Sequence, residues 1–125
     1  MKKLLKLSIF VLLSSLLFVG CGVAPIYNVK TKIDSPKSSA TTYRAIKQAG
    51  TSLGWKITKI RPGVAQGKLY LRTHLAVVRI RYSAYSYSIS YVKSKNLKYD
   101  PVKKVIHTNY NGWIQNLDRA IEMLL

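Results

Sequence analysis

Apolar and polar residues take turns along "YSAYSYSISY", residues 82–91: Tyr85, Tyr87, Ile89 and Tyr91 fall on one side of an extended chain, Ser86, Ser88 and Ser90 on the other. The same two-residue period runs through the stretches before it. In "AVVRIRY" Ala76, Val78, Ile80 and Tyr82 alternate with Val77, Arg79 and Arg81. In "QGKLYLR" Leu69 and Leu71 alternate with Lys68, Tyr70 and Arg72. "WKITKI" leads into "RPGV", where Pro62 and Gly63 suit the central positions of a type II turn. The link at Thr73 and His74 has neither glycine nor proline to mark it. Four strands with short links and no helix between them predict an antiparallel meander.

Two stretches change the period from two to that of a helix. Tyr43, Ile46, Ala49 and Leu53 form one apolar stripe. Ser38 or Ser39 can cap its first free N–H groups, and Gly50 or Gly54 can end it. From Ile106 onward, Tyr110, Trp113, Ile114, Leu117, Ile121 and Leu124 recur at helical spacing, with Thr108 as the expected N-cap. The order predicted is helix, four strands, helix (αββββα). The expected fold is an α+β two-layer sandwich, a four-stranded antiparallel sheet with both helices on one face. The tyrosine row reads as the buried face, because Ile89 stands among the tyrosines and both phenylalanines precede Cys21. The alternative is a tyrosine platform facing a ligand.

Charge alters the picture of the other face. The chain carries 21 Lys and Arg against four Asp and Glu, and no acid lies between Asp34 and Asp100. With the tyrosine side packed, the opposite side shows Lys68, Arg72, Arg79 and Arg81 with the three serines, joined by Lys56 and Thr58. A merely solvated face usually mixes signs. A face of one sign points to anionic partners.

The N-terminus has its own pattern. Lys2, Lys3 and Lys6 precede an uncharged run from Leu7 to Val19, too short for a membrane span and built like a secretory signal. "LFVGCG" resembles the lipobox of bacterial lipoproteins, with Phe18 where leucine is usual. The resemblance implies that residues 1–20 are removed and that Cys21, the one cysteine of the chain, is acylated. Gly22, in place of an aspartate, directs the expectation to the outer membrane. Residues 21–37 are expected to be the lipidated N-terminus and tether, since "APIYNVKTKIDSPKSS" shows few apolar residues and no helical period. Residues 38–125 are expected to form one domain.

Motifs for chemistry are sparse. "GVAQGKL" is one residue short of a P-loop and has leucine after its lysine. His74 and His107 have no cysteine or carboxylate at ligand spacing, so neither a metal nor another cofactor is expected. Asp118 and Glu122 read as a solvated helix face beside Arg119. The most polar stretch, "SKNLKYDPVKKVIHTNYNGW", holds Asn96, Asp100, His107, Asn109 and Asn111, all able to bond backbone locally. It reads as a knot joining sheet to helix, or else as a recognition site rimmed by Tyr99, Tyr110 and Trp113.

"LRTHLAVVRIRY", "YSISYVKSKNLKYD" and "IHTNYNGWIQNLDRAI" resemble a family of small uncharacterised lipoproteins of proteobacteria, over roughly residues 53–121. The resemblance implies an envelope location and brings no activity with it. The expectation is an outer-membrane-anchored periplasmic lipoprotein, a non-enzymatic module whose basic face meets lipopolysaccharide, acidic lipid or an acidic protein. The alternatives are a hydrolase-like enzyme using His107 and Asp100, and a binder of exported nucleic acid.

Overall fold

The computed structural model describes residues 22–125; the basic leader and Cys21 lie outside the described residues. Nine elements follow in order: β1 (Val23–Pro25), β2 (Val29–Lys32), α1 (Ser39–Ser52), β3 (Lys56–Arg61), β4 (Val64–Leu71), β5 (His74–Tyr82), β6 (Ser86–Lys95), β7 (Val105–His107) and α2 (Thr108–Met123). The fold is α+β, with antiparallel pairing throughout.

Strands β3 to β6 are the expected meander, but the main sheet has five strands, in the order β2-β6-β5-β4-β3. The fifth comes from the stretch expected to be a tether. Val29 pairs with Ile89 and is 4 % exposed, and Thr31 pairs with Tyr87. A two-stranded ribbon, β1 with β7, stands beside the sheet. Asn111 fastens the link between β1 and β2, its Nδ2 donating to Pro25 O and its Oδ1 accepting from Tyr27 N. Val29, Thr31 and Ile33 do alternate with Lys30 and Lys32, yet five residues with two lysines are too few to read as a buried strand.

Helix α1 starts at Ser38, whose Oγ accepts from Thr41 N, and stops before Gly54, at φ +88°. Its Thr42, Ile46 and Ala49 are buried, while Leu53 is exposed. Gly50 touches the sheet: a methyl there would stand 2.5 Å from Ile57 Cγ1. Helix α2 buries Tyr110, Ile114, Leu117 and Ile121. Its N-cap is His107 rather than Thr108, with Nδ1 accepting from Asn109 N. Both helices share one core with Ala65, Val78, Ile80, Tyr87 and Ile89, so both lie on the same side of the sheet.

The opening row is a core face with one exception. Tyr87 and Ile89 are buried and Tyr91 half-buried, but Tyr85 is 70 % exposed in the β5–β6 turn, which Ser83 Oγ holds by accepting from the N–H groups of Tyr85 and Ser86. A bulge interrupts β6. Val78 pairs with Tyr91 and Val77 with Lys93, leaving Val92 as the extra residue.

Val29 should therefore behave as core. Val29→Ala is expected to lower unfolding free energy by about 1–3 kcal/mol, from lost burial and the cavity left behind. Denaturant melts check this; an unchanged midpoint would return residues 22–33 to the role of spacer.

Candidate anion-binding face

The side of the sheet away from the helices is a ladder of basic and hydroxyl side chains, and strand register fixes their neighbours. Lys30, Ser88, Arg81 and Val64 stand in one cross-strand row. Lys32 and Ser86 form the row beyond it. On the other side come Ser90, Arg79, Gln66 and Thr58, and then Lys93, Val77, Lys68 and Lys56. Neighbours within a row are about 4.8 Å apart, and rows on one face about 6.8 Å apart. The lysines and arginines are therefore anchored at a backbone spacing of several ångströms from one another. The four acids among the described residues all lie outside the five strands: Asp34 after β2, Asp100 in the loop before β7, and Asp118 and Glu122 on α2.

Two details shape this face. The extra residue at Val92 restarts the alternation, so Lys93 and Lys95 oppose Val77 and Leu75 on the open side instead of entering the core. Val77 is nevertheless only 1 % exposed, flanked in register by Lys68 and Lys93. Long lysine side chains beside an apolar residue can bury their aliphatic stems while keeping the charged head in water.

At the end where β5 turns into β6 the face deepens into an open groove of about 560 Å³, lined by Lys30, Lys32, Gly63, Arg81, Ser83 and Ser86. That volume lies within the range of small-molecule sites, and Val64, Tyr82 and Tyr87 add apolar walls to it. Lys30 and Lys32 were hidden in the supposed tether; the signal that could have found them is their alternation with Val29, Thr31 and Ile33.

The expected site residues divide. Lys68, Arg79 and Arg81 share the open face. Arg72 does not. It occupies the β4–β5 turn at φ +56°, because Leu71 already pairs with His74 and leaves Arg72 and Thr73 as the loop. It stands at the far end of β5 from Arg81, roughly 27 Å away along the strand.

The polar cluster makes local bonds, most of them to backbone. Asn96, at φ +58°, donates from Nδ2 to Thr73 Oγ1 at 2.7 Å, and its carbonyl accepts from His74 Nδ1 at 2.7 Å. Asp100 Oδ1 accepts from Val102 N and Lys103 N, which holds its carboxyl below the usual range. Tyr99 stacks on Tyr91 with centroids 4.2 Å apart. His107 caps α2 through Asn109 N, and Asn111 clasps β1. His107 and Asp100 each bond to their own turn.

Sequence reasoning missed a polar node under the groove. Asp118 Oδ1 accepts from Tyr87 Oη at 2.5 Å and from Thr31 Oγ1 at 3.1 Å, linking α2, β6 and β2. Burial, and then the Asp118 carboxylate, push the Tyr87 hydroxyl well above its ordinary pKa. Burial does the same to Tyr110, whose hydroxyl has no partner among the described residues and whose ring meets Tyr91 edge-on. Among the described residues no cluster of His, Cys, Asp and Glu could hold a metal.

Comparison with known proteins adds no relative: no family model, curated protein or solved structure matches the chain.

The two tyrosines should separate cleanly. Tyr87→Phe is expected to cost about 1.5–3 kcal/mol, the range for a hydrogen bond to a charged group, whereas Tyr110→Phe should be neutral or stabilising. Unfolded tyrosine titrates near pH 10. Both folded pKa values lie higher, so the unfolded state loses protons first and stability falls as pH rises above that value. Each Phe variant should lose part of that alkaline slope in melts run across pH.

Proposed function

We propose that this chain is an outer-membrane-anchored periplasmic lipoprotein and a non-enzymatic binding module that holds clustered phosphates of envelope lipids on its open sheet face. The observation that carries the reading is the ladder itself. Lys30, Arg81, Arg79, Lys68, Lys93 and Lys56 stand on one face without an acid among them, with Ser88 between Lys30 and Arg81 and Ser90 beside Arg79. Arginine offers phosphate a forked, permanently charged donor, lysine a mobile point charge, and serine a hydroxyl that can give or accept. Supporting the anchor are the uncharged run from Leu7 to Val19, the "LFVGC" that ends it and the single cysteine. Among the described residues no helix is long and apolar enough to cross a membrane. One acyl chain holds a protein only marginally at a bilayer, so the lipobox reading needs the full set of chains that such a cysteine receives.

Lipidation is tested by growing cells with a labelled fatty acid. Wild type should carry the label and Cys21→Ser should not; label on the variant would remove the anchor. Binding is tested with residues 22–125 and lipopolysaccharide at several salt concentrations. Affinity should fall as salt rises, because bound cations release counterions from the polyanion. Arg79→Glu with Arg81→Glu should melt like wild type, yet bind at least about tenfold more weakly, the equivalent of 1.4 kcal/mol. Binding equal to wild type would make the face solvated surface and nothing more.

A further inference from the structure

We propose that the end of the domain formed by the β4–β5 hairpin tip and the start of α2 rests in the headgroup layer of the bilayer that holds Cys21, with the cationic groove turned away from it. This rests on the lipidation reading above and goes beyond it, because it assigns the membrane-facing surface.

The first support is the absence of slack. Val23 is the first residue of β1, and Gly22 O accepts from Thr108 N at 3.1 Å, so Gly22 is already bound to the first turn of α2. One peptide bond separates Gly22 from Cys21, which sets their α-carbons about 3.8 Å apart. A domain joined so closely to its anchor cannot swing as one on a long spacer would. Whatever surface surrounds Gly22 meets the bilayer.

A continuous set of contacts says which surface that is. Val23 pairs with His107, and His107 N donates to Leu97 O. The next residue back, Asn96, is bonded to both Thr73 and His74 in the hairpin tip. The His74 ring in turn lies 6.3 Å from that of Trp113, on the second turn of α2. Gly22, the start of α2 and the β4–β5 tip therefore form one end of the domain.

The residues shown there have the chemistry of a bilayer interface. Tyr70 is 68 % exposed and Leu71 45 %, next to Arg72 in the turn, with Lys95 opposite Leu75 and Trp113 half-buried nearby. Tyrosine and tryptophan sit well at headgroup level, and long basic side chains reach phosphates while their stems stay in apolar surroundings. The opposite end differs. Helix α2 runs away from Thr108 to Asp118, which meets Tyr87 and Thr31, and there Ser83, Ser86, Lys32 and Arg81 border the groove. A nine-residue β5 separates the two ends by roughly 27 Å.

The exposed tyrosines at the two ends provide the test: Tyr70 at the tip, and Tyr85, 70 % exposed, in the β5–β6 turn. The full chain is expressed with its leader as Tyr70→Cys or Tyr85→Cys, purified, and inserted into vesicles of phosphatidylethanolamine and phosphatidylglycerol. An acylated Cys21 has no free thiol, so a thiol-reactive fluorophore marks only the new cysteine. Mass of the mature protein first reports acylation. Spin-labelled lipid should quench the dye at residue 70 strongly, and iodide in the water should lose its effect there; at residue 85 the order should reverse. Acylated protein with equal quenching at both positions overturns the orientation and leaves the anchor intact. Protein without acyl chains overturns the anchor and the orientation together. Arg72→Cys repeats the tip measurement if Tyr70→Cys melts early.

Discussion

Val78, Ile80, Tyr87 and Ile89 give the main sheet an apolar face that leaves water only against α1 and α2. Burying a side chain of this kind contributes about 1.5–3 kcal/mol. Ile46, Ile114, Leu117 and Ile121 supply the opposing layer, all fully buried. With both helices committed to one side, no helix among the described residues covers the other. Val64, Leu75 and Val77 are buried on this side, while Lys30, Lys32, Arg81 and Lys93 are left to solvent and to whatever binds. That freedom is why the charges of this face can all be of one sign without cost to the core. Where apolar residues do stand on it, as Val77 does, lysines are their cross-strand neighbours.

The polar stretch between β6 and α2 performs a different task. It has to bring a helix, a hairpin tip and strand β1 to one end of a sheet that supplies no surface for them. Short side chains that bond backbone are suited to this, since each replaces a missing ladder partner. Asn96 holds the tip, Asp100 its own turn, His107 the helix and Asn111 the first strand. A cluster of His, Asp and Asn in sequence resembles a reaction centre. Here Asp100, His107 and Asn111 bond backbone, and Asn96 bonds the Thr73 hydroxyl.

What could be read from sequence was what repeats. The four long strands and both helices announce themselves by period, and Ile89 among tyrosines indicates which side of β6 is buried. Features resting on one residue, or on contact across a long separation, left no such trace. Val92 breaks the alternation of β6 without any sign such as glycine, so Lys93 and Lys95 could not be assigned to a face. Arg72 continues an alternation that the backbone has already abandoned for a turn. Asp118 looks like one of three charged residues on a wet helix until β2 and β6 bring Thr31 and Tyr87 to it. The basic face was legible in Lys68, Arg79 and Arg81; the groove was not, because two of its lysines belong to the strand mistaken for a tether.

That strand also has a place in time. A chain made from its N-terminus presents β1 and β2 before their partners, since β2 pairs with residues 86–89 and β1 with residues 105–107. Both must wait, unpaired, while some sixty to eighty residues follow them. A waiting strand rich in large apolar residues would be an invitation to wrong partners. Lys30 and Lys32, alternating with Val29, Thr31 and Ile33, keep β2 compatible with water until its seat exists. The qualities that make it look like a spacer are those a first-made, last-placed strand requires.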